Sequence, residues 1–278
     1  MRVAYFPNQC ALNSIPVMQA VLDSLRSAGH TIEENSLGAD AAIIWSALWS
    51  GRMAPNKQVY ENYRAQGKPV IIVDVGALHR GKTWKIAVNH INRLGYYGHT
   101  ENLDMDRPKK LGINLAVNFS KNPAILIAAQ HRYSLQLANQ HHEDWIMEQV
   151  EEIRQESDRP IVIRPHPRSP LNMASLNNTI TIEKPQKVAD TYDSFNMHFD
   201  YHAVVNYCSS PGIQAAISGT RPIVGTYSLA LPVSVAITDL DKPYEVDRDH
   251  WLVEICHTEY TVNEIEQGLW IKRIQSHL

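Results

Sequence analysis

Three groups able to hold an anion stand within five residues of one another in IVIRPHPRSP (161–170): Arg164, His166 and Arg168, alternating with Pro165 and Pro167. Each proline biases the residue before it toward an extended backbone, so Arg164 and His166 are stiffened. Two positions apart, they are expected to project to the same side. A guanidinium can clamp phosphate oxygens through two parallel hydrogen bonds, and a stiffened cation has less freedom to lose when it does so. The alternative is a loop of surface cations.

Two further stretches carry similar chemistry. AILIAAQHRYS (124–134) sets Gln130, His131, Arg132 and Ser134 after an apolar run, and VVNYCSSPG (204–212) sets Ser209 and Ser210 at the head of a helical pattern. Ser209 or Ser210 can cap that helix, Pro211 suits its first turn, and Gly212 lets a ligand approach the backbone. The remaining amide groups and the helix dipole favour a phosphate. Read without its neighbours, the same stretch is a well-capped core helix.

In the first half, Asp74 in VIIVDVG (70–76) is an acid at the end of a buried run. It is a general base or a hydrogen-bonded structural residue, because a strand acid is costly to bury unpartnered. His79 is a second catalytic candidate, with His99 and Asp104 as alternatives. Arg80, Lys82, Trp84 and Lys85 mix cations with an aromatic ring. That mixture suits a nucleic-acid backbone and an unstacked base; it equally describes a solvated positive face with aromatics packed beneath.

Elements must be found to carry these residues. RVAYF (2–6), TIEEN (31–35), AAIIWSAL (41–48) and KPVIIVDVG (68–76) read as strands, with helical spacing over 14–28 and 56–67. From 76 to 118 the pattern loosens, with one helix predicted from Trp84 to Leu94. Strand signals return at 124–130, 160–167, 179–184, 202–210 and 221–226, with helices at 136–156 and 211–219 and a last one over 262–274. This alternation predicts an α/β fold of two Rossmann-like lobes facing a cleft. The expected division is a first lobe over 1–118 and a second over 119–278, whose terminal helix packs back. In such sheets ligands collect at the carboxyl ends of strands, where the loops named above would lie.

Composition narrows the class. The chain of 278 residues carries 44% hydrophobic and 20% charged residues and a net charge of −3, so it can bury a core and has no overall cationic field. Three cysteines, far apart and odd in number, argue against a disulfide framework and for a reducing, cytoplasmic setting. No run of apolar residues is long enough to span a membrane. The thirteen histidines show no metal-site spacing, so no metal is expected.

IRPHPRS (163–169) together with VVNYCSSPGIQAAISGTRPIV (204–224) resembles the donor-binding lobe of GT-B glycosyltransferases, especially capsule-polysaccharide transferases and the related glycerophosphate polymerases. The resemblance covers roughly residues 120–230. It implies a nucleotide-sugar co-substrate, such as a UDP-sugar, and no other cofactor. It also implies that 1–118 is the acceptor domain and 119–278 the nucleotide-sugar domain, and that Arg164, His166, Ser209 and Ser210 contact phosphate; Arg132 and Arg168, on the same strand-end loops, are further donor-binding candidates. Gln214 stands where many members carry a glutamate for ribose or sugar hydroxyls. WSALWSGRMAPN (45–56) and VGALHRGKTWK (75–85) look similar to segments of phage-encoded proteins. Small phage GT-B enzymes glycosylate hydroxymethylated pyrimidines, which implies DNA carrying a modified base as acceptor. A cell-surface glycan acceptor, or a nucleotide-binding module without transfer activity, are the alternatives.

Overall fold

A computed structural model describes residues 1–117, 121–137, 141–171, 179–187 and 199–278. The chain forms two compact units, residues 1–104 with 256–278, and residues 105–255. The division thus falls at 104/105 rather than at 118/119, and the last 23 residues belong with the first unit rather than the second.

The first unit begins with β1 (Arg2–Tyr5), α1 (Ile15–Ser27), β2 (Thr31–Glu34), β3 (Ala41–Trp45), α2 (Asn56–Ala65), β4 (Val70–Val75) and β5 (Trp84–Val88). β1 to β4 are mutually parallel in the order β4-β3-β1-β2. β3 is wholly buried, as a strand covered on both faces must be. β5 is the main departure from expectation, since the sequence pattern predicts a helix over 84–94. It runs antiparallel to β4, with Asp74 opposite Lys85 and Ile72 opposite Ala87. Asn89, at φ +70°, then ends it.

The second unit comprises α3 (Arg107–Leu111), β6 (Ile125–Ala128), α4 (His142–Glu156), β7 (Ile161–Arg164), β8 (Ile180–Ile182), β9 (Ala203–Asn206), α5 (Ser210–Ser218), β10 (Arg221–Val224) and most of α6 (Asp249–Cys256). Its five strands are all parallel, in the order β10-β9-β6-β7-β8. Alternate residues of each strand serve opposite faces. Ile125, Ile127, Ile161 and Ile163 pack with Trp145, Ile146, Val150 and Ile153 of α4. Leu126, Ala128 and Val204 pack with Phe199 and Tyr201, which precede β9, and with Ala215 of α5. Burying a side chain of this size contributes about 1.5–3 kcal/mol. These two apolar layers therefore fix the strand ends, and with them the polar loops.

The chain closes in the first unit with β11 (Glu259–Tyr260), α7 (Val262–Glu266) and α8 (Leu269–Ile274). β11 adds antiparallel to β5. The single terminal helix expected over 262–274 is broken by Gly268, at φ +68°, a left-handed turn that glycine takes without strain. Trp270, fully buried, donates its indole N–H to Ser24 Oγ at 3.1 Å and so docks α8 on α1. Among the described residues no helix is long and apolar enough to cross a membrane.

Candidate functional site

At the carboxyl ends of the second unit's strands, three loops are tied together by buried polar side chains. Asn206, the last residue of β9, donates from Nδ2 to the Ala128 carbonyl (2.8 Å) and to Ser209 Oγ (2.9 Å), while its Oδ1 accepts from Ser209 N (2.8 Å). Gln130, past the end of β6, accepts from Cys208 N at 3.3 Å and donates to Ser134 Oγ at 2.7 Å. The loop after β6 is thereby joined to the turn leading into α5. A buried amide that satisfies several partners at once is worth more to geometry than to net stability.

Ser209 is the N-cap of α5, as expected, but its hydroxyl is held by Asn206 and makes no capping bond to the helix. Ser210 opens the helix, with Pro211 in its first turn. A Cβ on Gly212 would lie 2.8 Å from Val224 Cγ1, so this glycine is set by the packing of α5 on β10. Gln214 sits half-buried on the second turn.

The cationic loop after β7 differs from expectation. Arg164 and His166 do not share a direction. The Arg164 guanidinium donates from Nε to Glu183 at 2.7 Å and from Nη2 to Glu183 at 3.3 Å and to Tyr201 Oη at 3.2 Å. It lies over the rings of Phe199 and Tyr201, centroids 5.9 and 5.6 Å away, on the α5 face of the sheet. The reason is the partner: a half-buried carboxylate after β8 and two aromatic faces satisfy the guanidinium better than an open loop does. A phosphate at Arg164 would compete with Glu183.

His166 instead packs edge-on against His131, ring centroids 5.0 Å apart. The turn His166-Pro167-Arg168-Ser169 closes with Ser169 N donating to the His166 carbonyl at 2.9 Å, proline at its second position as such turns favour. His166 Nδ1 accepts from Arg168 N at 3.1 Å, and His131 Nδ1 accepts from Tyr133 N at 3.2 Å. The same two-residue device appears in both loops. It leaves Nε2 as the protonated nitrogen of each neutral ring.

Burial lowers the His131 pKa to about 4, helped by His142 and Arg132 and opposed by the Arg168 carbonyl. Burial lowers His142, at the start of α4, in the same way. Arg132 is also spoken for. Its Nε and backbone N donate to Ser169 Oγ (3.2 and 3.3 Å), and its Nη2 donates to the Pro170 carbonyl (2.7 Å) and Glu143 (3.0 Å). Arg132 therefore braces the His166 loop from behind, where it was expected to hold phosphate. Arg168 is exposed on the turn.

In the first unit, Asp74 lies at the carboxyl end of β4. Its Oδ2 accepts from Ser46 Oγ at 3.2 Å and its Oδ1 from Val75 N at 2.7 Å. Ser46 holds φ +63°, uncommon for a residue other than glycine. Desolvation raises the Asp74 pKa, against the pull of the Val75 N–H and the charges of Lys85 and Arg80. A carboxyl poised above its usual range and fixed at a strand end can take a proton from a hydroxyl. His79 and Arg80 are half-buried and Lys82 is exposed on the loop from β4 to β5, while His99 and Asp104 are exposed further on.

Trp84 and Lys85 require correction as acceptor contacts. They are 6% and 7% exposed, enclosed in β5 between β4 and β11. Among the described residues no group of three or more His, Cys, Asp or Glu is placed to hold a metal ion, and no disulfide joins Cys10, Cys208 or Cys256.

Asn206, Glu183, Glu143 and His142 were not singled out from the sequence. A lone asparagine ending an apolar run is a weak signal for such a hub, and the partners of Glu183 and Glu143 lie 11 to 19 residues away. Among solved structures, the chain is similar to Thermosulfurimonas dismutans KpsC, beta Kdo 2,4 transferase, at 11% identity and TM-score 0.52, over 97% of this chain and 98% of that one. It is similar also to Thermosulfurimonas dismutans KpsC, beta Kdo 2,7 transferase, at 12% identity and TM-score 0.50, over 97% and 99%. No protein-family model matches the chain, and no curated protein sequence matches it.

Proposed function

We propose that the chain is a glycosyltransferase that moves a sugar from a nucleotide-sugar to a hydroxyl of a glycan, without a metal. The observation that carries this reading is the braced edge of the second unit. There the His166 turn, the 130–134 loop and the start of α5 are cross-linked by Asn206, Gln130 and Arg132 at the carboxyl ends of five parallel strands. Preorganised N–H donors at such an edge suit a leaving phosphate whose charge grows during transfer. On this reading His166 Nε2, the Ser209–Ser210 head of α5 and Arg168 hold the phosphate, and Gln214 serves sugar or ribose hydroxyls. His131 and Arg132 hold the His166 turn in place. Asp74 is the base, with His79 as the alternative.

A glycan acceptor is supported over DNA on two grounds. The solved structures of similar fold are named as Kdo transferases, and the enclosure of Trp84 and Lys85 removes two of the four residues that argued for a nucleic-acid surface. The test is a thermal-shift panel of nucleotides and nucleotide-sugars, UDP-sugars included, followed by mass spectrometry of glycan acceptors incubated with each donor that binds. A true donor at 100 times its Kd adds about 2.7 kcal/mol to stability. If no nucleotide shifts the melting curve, the reading fails. If a nucleotide binds but no donor–acceptor pair yields product, a nucleotide-binding module is the reading that stands.

A further inference from the structure

Loop 76–83 reads Gly-Ala-Leu-His-Arg-Gly-Lys-Thr, the spacing Gly-x-x-x-x-Gly-Lys-Thr that cradles nucleotide phosphates when it joins a strand to a helix. Here it joins β4 to another strand, β5, and its anion is internal. Glu259 of β11 is fully buried. Its Oε1 accepts from Ala77 N at 2.6 Å, and its Oε2 accepts from Leu78 N at 3.1 Å and from Thr83 Oγ1 at 2.7 Å. Successive backbone N–H groups aimed at one carboxylate form an anion nest. The glycine is demanded by that anion: a Cβ on Gly76 would collide with Glu259 Oε2 and come within 2.5 Å of the Thr83 carbonyl. The loop closes on itself around Thr83, whose backbone N donates to the His79 carbonyl (2.9 Å) and whose Oγ1 accepts from His79 N (3.2 Å).

We infer that Glu259 is a positioning residue, the built-in anion of a phosphate-loop-like nest, which sets the segment that follows Asp74 and carries His79, Arg80 and Lys82. The internal carboxylate occupies the donors that a nucleotide phosphate would need, so this loop is not a second nucleotide site. That the segment serves sugar transfer rests on the function proposed above; that Glu259 seats in it does not.

The decisive experiment is replacement and chemical rescue in the full chain. Glu259→Ala removes Cγ and the carboxylate, the two carbons and two oxygens that acetate supplies. Without additive, the Ala77 and Leu78 amides lose hydrogen-exchange protection and the melting temperature drops. Acetate restores both in the variant and leaves the unaltered protein unchanged, while acetamide, with one acceptor oxygen and an added N–H₂, does not. With a donor and acceptor pair, kcat falls by about tenfold to a hundredfold, as for a displaced catalytic group; donor KM holds, and acetate recovers kcat. Where Glu259→Ala does not fold, Glu259→Gln keeps the shape and serves the same exchange measurement. Protection of Ala77 and Leu78 that survives both substitutions, equal effects of acetate and acetamide, or an unaltered kcat would overturn the inference. Absence of transfer by the unaltered protein would sink the functional proposal and leave the exchange result to decide the seat of Glu259.

Discussion

Consider acidification of the second unit. His131 is 7% exposed and its pKa is lowered to about 4, chiefly by burial. A depressed histidine contributes stability that is present above its unfolded pKa and is lost as pH falls toward the folded one. With an unfolded pKa of about 6.5, the window runs from roughly pH 6.5 down to 4. The loss from this group between pH 7.5 and pH 5 comes to about 2 kcal/mol, and below the window to about 3 kcal/mol. The charge would appear beside His142, Arg132 and Arg168, with the Arg168 carbonyl the opposing influence. Ring titration by NMR should show His131 neutral at pH 5. Urea unfolding of the unaltered protein and of His131→Gln, at both pH values, should differ in their acid losses by about 2 kcal/mol, the variant losing less. On the proposed function, donor KM rises across the same window as the His166 turn loosens. A His131 ring that titrates near 6.5, or acid losses that agree within about 0.5 kcal/mol, would refute the reasoning.

Three shorter tests follow. Arg164→Ala should cost about 3 kcal/mol, because it leaves Glu183 half-buried against Tyr201 without its cation, and a double-mutant cycle with Glu183→Ala should return a coupling above about 1 kcal/mol; an additive cycle would show that the ion pair is not what fixes Arg164. Asp74 has a raised pKa, so its contribution to stability is present at low pH and lost as pH rises through the folded value. Asp74→Asn should therefore gain stability relative to the unaltered protein between pH 4 and 7, measured by urea midpoints, while losing transfer activity; a variant that weakens over that interval assigns Asp74 a structural role. Asn206→Ala leaves the Ala128 carbonyl and the Ser209 amide short of a partner and should cost about 1–3 kcal/mol for each group stranded. Its donor Kd should rise as well, and a change in stability with unaltered donor binding would separate the Asn206 hub from the site.

What was legible in the sequence was local, and what was missed came from far along the chain. The buried isoleucines of β6 and β7, the prolines at 165 and 167 that shape the start of the 166–169 turn and the Ser-Ser-Pro-Gly start of α5 each act through neighbours a few residues away, and each element formed where its pattern put it. Segment 84–94 spaces Trp84, Ala87, Val88, Ile91 and Leu94 as a helix would, yet its first five residues, Trp84–Val88, equally fit a strand buried on both faces. Only β4 and β11 decide between the two, and β11 arrives more than 170 residues later. The direction of Arg164 follows the same logic. Its backbone was predictable from Pro165, but its guanidinium goes to Glu183 and Tyr201, 19 and 37 positions on. The anion reading of that loop therefore passes from Arg164 to the His166 turn, because the turn is braced from behind by Arg132 while Arg164 already has its carboxylate. A cation that a fold has partnered internally sets geometry, and the partner, more than the backbone that carries the cation, decides which way it points.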